Sequence, residues 1–247
     1  MSWKAVPVAQ VPEEIGRQLD AIAMEDAPLL EASVLDILNR GLGFRKSAEN
    51  GVCLLGDGSK IPMMSYGLIE YVMGLDLSGF DLLELGGGFS TEFWSARVKS
   101  VTTLETDPAW AQTLVTGNFP NTEIRVTEAE RIAEDMTGLG RAFDAVIVDA
   151  ATNRYRCAKA ALQILKPGGF ILLDNADWYP NTTAMLRDAD LIQVDFSDFR
   201  PLRWYRCCTS LFLHKDFRAR PRDRRLPRPL IGGKDIGEVN AWDKITD

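Results

Sequence analysis

Seven short apolar runs, separated by helix-competent segments, set the strongest constraint on what this chain can fold into. The runs are DLLEL (81–85), VTTLE (101–105), EIRV (123–126), DAVIVD (144–149), FILLD (170–174), LIQVDF (191–196) and TSLFLH (209–214). TEFWSARV, PAWAQTLV, ERIAEDM and RYRCAKAALQIL fall between the first five. This alternation predicts an α/β fold, a doubly wound parallel sheet with helices on both faces. Lys166-Pro167-Gly168-Gly169 stops a helix and turns the chain into the fifth strand. Upstream, Ile15, Leu19, Ile22 and Ala23, then Leu29, Leu30, Val34, Leu35, Ile37 and Leu38, recur at helical spacing up to Gly41 and Gly43. We therefore divide the chain into a helical N-terminal cap and lid (1–66), the α/β domain (67–214) and a C-terminal arm (215–247).

The chain has 247 residues, enough to bury a substantial core, and no apolar run long enough to span a bilayer. Its start has no basic-then-apolar leader pattern, which predicts a cytoplasmic protein. The net charge of −7 argues against a nucleic-acid partner and the apolar pattern against a membrane one. The exception is local: Lys215, Arg218, Arg220, Arg222, Arg224, Arg225 and Arg228 crowd a proline-interrupted stretch. It reads as a solvated arm lying on an acidic body, the alternative being a phosphate- or nucleic-acid-binding tail. Cys53, Cys157, Cys207 and Cys208 have neither zinc-site nor disulfide-framework spacing, and read as packing residues.

In a doubly wound sheet, ligands bind beyond the carboxyl ends of the strands, where strand order reverses. The first strand delivers Glu84-Leu85-Gly86-Gly87-Gly88-Phe89-Ser90-Thr91 to that edge, and the glycines let backbone approach a ligand closely. A dinucleotide fingerprint would place glycine where Thr91 stands, which disfavours a nicotinamide oxidoreductase. The second strand ends in Glu105-Thr106-Asp107, and an acid there can accept both ribose hydroxyls of a nucleoside.

ELGGGFST, TLETDPAW, FDAVIVDA and LKPGGFILLDN, in this order, resemble the successive motifs of class I S-adenosylmethionine-dependent methyltransferases. IPMMSYGLIEYV and DFSDFRPLRWYRCCTSLFL resemble a bacterial subgroup of small-molecule and sugar O-methyltransferases and extend the likeness to about residues 61–214. The resemblance implies a Rossmann-like sheet of seven strands with the last antiparallel, and S-adenosylmethionine as cofactor. It implies that Glu84, Gly86, Gly88 and Ser90 cradle the methionine moiety and that Glu105 holds the ribose. Thr106, Asp107 and the Thr127-Glu128-Ala129 turn would border the adenine, while Met64, Ser65 and Tyr66 close over the cofactor.

Asp149, Asp174 and Asn175 end the fourth and fifth strands and form the candidate catalytic set, Asp149 also lying beside the cofactor. Hard oxygen donors suit Mg²⁺, and DA…DN resembles the metal triad of catechol-type O-methyltransferases. That family has a lysine three residues after the first aspartate, where this chain has Thr152, so Asp149 is left open as a positioning group instead. Arg154, Tyr179, Arg200, Trp204, Tyr205 and Arg206 are candidates for the acceptor side, with internal charge pairing and core packing as the alternatives. His214, the only histidine, is expected at the far end of the sheet and is not assigned as a base. The leading expectation is O-methylation of a small-molecule or sugar hydroxyl. N-methylation, aminopropyl transfer and a non-catalytic cofactor-binding protein stay open, as does a homo-oligomer.

Overall fold

The computed structural model describes residues 27–223 and 225–233. The helical expectation for Ile15 to Ala23, the basic Arg224 and the end of the arm lie outside the described residues. Helix α1 (Ala27–Asp36) runs into a π-helical turn (Ile37–Gly41) and α2 (Phe44–Asn50). After α3 (Tyr66–Met73), the chain alternates through β1 (Asp81–Leu85), α4 (Phe89–Ser95), β2 (Ser100–Glu105), α5 (Pro108–Val115), β3 (Thr122–Val126), α6 (Ile132–Gly138) and β4 (Phe143–Val148). It continues through α7 (Arg154–Ile164), β5 (Leu165–Leu173), α8 (Pro180–Asp188), β6 (Ile192–Asp198) and β7 (Cys207–Leu213).

The seven strands form one sheet in the order β3-β2-β1-β4-β5-β7-β6. β7 pairs antiparallel with both β5 and β6, and the remaining pairings are parallel. Period-two alternation divides the apolar side chains between two faces. Leu82, Ala145, Ile147, Phe170 and Leu172 pack against α3, with Phe93 and Trp94 of α4. Leu83, Leu85, Val146, Val148, Ile171 and Leu173 pack against α6, α7 and Leu186 of α8. The fifth strand starts earlier than its apolar run because Leu165 already pairs with Phe143, before a register shift that the Pro-Gly-Gly sequence accommodates.

Strand order reverses between β1 and β4, so the crevice opens where Gly86 and Asp149 leave the sheet. Gly86 has φ +84°, and a Cβ there would stand 3.2 Å from the Asp149 carbonyl oxygen and 3.1 Å from Ala150 Cα. Only glycine lets the two loops come this close without strain. The described part of the arm is laid back on α3 and the turn that follows it. The Arg222 N–H donates to Gly74 O, the Asp76 N–H to Arg220 O and the Ile231 N–H to Glu70 Oε1. Leu226 and Ile231 pack on the core that α3 helps form. No helix among the described residues is long and apolar enough to cross a membrane.

Candidate active site

Three hydroxyls fix the glycine turn through one carboxylate. Glu84, fully buried in β1, accepts from Ser90 Oγ at 2.6 Å, Thr91 Oγ1 at 2.7 Å and Thr103 Oγ1 at 2.9 Å. Thr91 Oγ1 in turn accepts the Gly88 N–H at 3.0 Å. Burial outweighs these donors and pushes the Glu84 carboxyl up to about 7. Of the residues expected to cradle a methionine moiety, Glu84 and Ser90 are thus engaged with each other, and Gly86 and Gly88 line the open turn. A Cβ on Gly88 would meet nothing within 4 Å.

Glu105, at the end of β2, reaches back to this turn. Its Oε2 accepts the Gly87 N–H at 2.8 Å, and its Oε1 accepts the N–H groups of Thr106 at 2.7 Å and Asp107 at 2.9 Å. Asp107 caps α5, accepting from the Ala109 and Trp110 N–H groups, and the Trp110 indole donates to Gly87 O at 2.8 Å. Glu128 is exposed on the next turn. Ala129 O accepts the Thr152 hydroxyl at 3.0 Å, so the residue standing where the catechol-type pattern has lysine ties two ligand-edge turns together. From the cap, Ser65 Oγ and Tyr66 Oη are buried without a hydrogen-bond partner among the described residues. Two orphaned hydroxyls and an open glycine turn fit a polar, nucleoside-bearing cofactor of the expected kind.

The strand-end acids do come together, but two arginines hold them. Arg154 is 7% exposed and donates to Ala150 O, Asp174 O, Asp149 O and, at 2.8 Å, Asp149 Oδ1. Arg200, 4% exposed, donates to Asp174 Oδ2 at 3.1 Å and to Tyr205 Oη at 3.2 Å. Asp174 Oδ1 accepts the Thr209 hydroxyl at 2.7 Å. The Asn175 amide, oriented to satisfy its neighbours, donates to Asp174 Oδ2 and accepts from Arg200 Nη1, each at 2.9 Å. Burial raises Asp174 above the ordinary carboxylate range. Burial and then the Asp174 charge raise Asp149, against the pull of Arg154 and Arg200.

This donor set does not fit a divalent cation, which corrects the Mg²⁺ expectation for Asp149, Asp174 and Asn175. Both Asp174 oxygens and the Asn175 amide oxygen are already engaged, and a cation would have to displace guanidinium groups that supply the neutralising charge. Among the described residues, no group of three or more His, Cys, Asp or Glu side chains could hold a metal ion. Asp149 differs from Asp174 in one respect: its side chain is 29% exposed, against 2%. Among the described residues, Asp149 accepts through its main-chain oxygen and Oδ1 and none donates to its Oδ2.

The acceptor-side candidates separate into two groups. Arg154 and Arg200 are committed inside, with Tyr179 under the Arg154 guanidinium at 5.0 Å. Trp204, 87% exposed, meets Tyr205 edge-on at 5.5 Å, and Trp178 lies 6.2 Å from the same ring. Arg206 is exposed and donates to Ser197 O. These aromatic residues stand at the carboxyl edge, whereas His214 N donates to Gly169 O near the start of β5, at the amino edge. Nothing in the sequence marked Thr103 or Thr209, or the bond from Thr91 to Glu84, because a threonine in a strand or helix reads as an ordinary structural residue.

No family model and no curated protein matches the chain, but solved structures do. A candidate O-methyltransferase from Klebsiella pneumoniae is 20% identical, with 72% of this chain and 90% of that one covered and a TM-score of 0.51. Aeropyrum pernix fibrillarin with natively bound S-adenosyl-L-methionine is 18% identical, covering 66% and 93%, with a TM-score of 0.49. The Bradyrhizobium japonicum N-methyltransferase NodS, in complex with S-adenosyl-L-homocysteine, is 16% identical, covering 69% and 97%, with a TM-score of 0.45. The strand order and the Klebsiella likeness establish that this chain has the Rossmann-like fold of class I S-adenosylmethionine-dependent methyltransferases.

Proposed function

We propose that the protein is an S-adenosylmethionine-dependent methyltransferase that methylates a hydroxyl of a small molecule or sugar, without a metal ion. The observation that carries this reading is the free Oδ2 of Asp149, placed at the strand-order reversal beside Gly86. S-adenosylmethionine would supply an electrophilic methyl group on a sulfonium centre. Gly86 and Gly88 would admit the methionine end, Glu105 would accept the ribose hydroxyls, and Thr106, Asp107, Glu128 and Ala129 would border the base. Ser65 and Tyr66 would spend their orphaned hydroxyls on the same ligand.

Asp149 is the residue whose carboxylate can take the acceptor's proton, while Arg154 fixes its position through Oδ1. Asp174 and Asn175 act behind it, as the scaffold that keeps Arg200 and the β5 end in place. Trp178, Trp204 and Tyr205 present ring faces on which a planar or sugar acceptor can stack. Most of the acceleration would come from holding the acceptor oxygen in line with the methyl group.

The test is a screen of acceptor pools with the purified protein and S-adenosylmethionine, read by mass spectrometry with and without EDTA. A gain of one methyl group on a hydroxyl, undiminished by EDTA, is the expected result. Products methylated only on nitrogen, or activity lost in EDTA, would replace this reading.

A further inference from the structure

The helical layer that holds α7 and α8 carries a groove that the methyl-transfer reading leaves unused. It has a volume of about 1010 Å³ and runs between the two helices, from Arg154 at the carboxyl edge to Asp188 at the end of α8. Tyr155 and Trp178, 42% and 55% exposed, line it together with half-buried Tyr179. Among the described residues, no hydrogen bond or ion pair engages the side chains of Tyr155, Lys159, Asn181 or Asp188, all of which line the groove. On the same helices Arg156 and Arg187 lie outside it and are paired, with Glu134 and Gln193. The groove meets the candidate active site at one end. Arg154 lines it while its Nη2 holds Asp149 Oδ1 at 2.8 Å, and the Tyr179 ring lies 5.0 Å from the same guanidinium. Trp178 belongs to both, lining the groove and lying 6.2 Å from the Tyr205 ring.

We propose that this groove binds a neutral oligosaccharide, and that the acceptor is a glycan or glycoside of more than one ring whose reacting hydroxyl reaches Asp149. Tyr155 and Trp178 offer aromatic faces to the apolar C–H faces of sugar rings. Lys159 donates, Asp188 accepts and Asn181 does both, which matches hydroxyls that each donate and accept. One ammonium and one carboxylate leave these groups with no net charge, so the groove favours a neutral ligand over a phosphorylated or acidic one. Arg154 does not upset this balance, because Asp149 takes up its charge. The volume stands at the upper end of the usual range for ligand pockets, about 300–1,000 Å³, and exceeds what a single ring fills. The reaction at Asp149 rests on the methyl-transfer reading; saccharide binding in the groove does not.

The test is a neutral-glycan array probed with the intact protein, followed by calorimetric titration of each retained glycan and of its constituent monosaccharides. At least one neutral disaccharide or trisaccharide should bind, and more tightly than its constituent monosaccharides. Tyr155→Ala and Trp178→Ala should each weaken that binding by about three- to tenfold, the scale of a lost aromatic contact. Tyr155→Ala should leave S-adenosylmethionine affinity unchanged, which shows that the variant is folded. No retained neutral glycan, or a glycan affinity that neither substitution alters, would overturn the proposal. So would a homodimer that Tyr155→Ala dissociates, since a second copy of the chain would then occupy the groove. The two readings fail separately. S-adenosylmethionine binding with no glycan retained removes the groove site alone, whereas groove-dependent glycan binding without S-adenosylmethionine binding removes the methyl-transfer reading.

Discussion

Thr209 donates its hydroxyl to Asp174 Oδ1 at 2.7 Å and, through the same oxygen, accepts the Ser65 N–H at 3.3 Å. The last strand thereby connects the acid at the end of β5 to the residue that opens α3. Thr209→Val removes both bonds within a fully buried environment and should destabilise the protein by about 1–3 kcal/mol. Denaturant unfolding checks this, with Thr209→Ser expected to restore most of the loss.

Glu84 makes stability depend on pH in a defined direction. Its folded-state pKa of about 7 lies above the ordinary 4.5. The folded protein therefore holds this proton more tightly than the unfolded chain. The resulting stabilisation is complete below about pH 4.5 and is lost as pH rises through about 7. Glu84→Gln removes the titration, so its stability relative to wild type should improve from pH 5 to pH 8 by on the order of 1–3 kcal/mol. Parallel denaturant curves across that range are the measurement, and a constant difference would refute the assignment.

Glu105 stands where a nucleoside ribose would be held. Glu105→Ala should weaken S-adenosylmethionine binding by about 1–3 kcal/mol, measured by calorimetry. Some of that loss comes from the turn itself, since Gly87, Thr106 and Asp107 lose their acceptor. Glu105→Gln keeps acceptor capacity and should fall between wild type and alanine.

Asp149→Asn should reduce turnover by about 10²–10⁴-fold while leaving cofactor affinity within a few-fold of wild type. EDTA should have no effect on the wild-type protein, and His214→Asn should leave turnover intact. A stoichiometric Mn²⁺ signal in the wild type that Asp174→Asn abolishes would restore the metal reading.

The seven strands were legible because each carries an apolar run bounded by turn residues, and DLLEL coincides with β1 to the residue. Strand direction alone placed Gly86 and Asp149 at the same edge of the sheet, and the pairing of β1 with β4 is what brings them together. What the sequence could not convey is who neutralises whom. Arg154 and Arg200 read equally well as acceptor ligands or as internal partners, because a guanidinium's partner is chosen by tertiary packing. The same limit applies to DA…DN, where a metal triad and an arginine-held cluster need identical residues. Only the occupied lone pairs of Asp174 distinguish them.

Among the described residues, β6 hydrogen-bonds to β7 and to no other strand, and β7 is the last strand in chain order. During synthesis from the N-terminus, β5 therefore keeps an open edge and β6 stays unpaired until residues 207–213 have emerged. A nascent or truncated chain ending before Cys207 exposes two unsatisfied strand edges at once, the kind of surface that recruits other chains. Termination between β6 and Cys207 should thus yield aggregates rather than a smaller soluble domain.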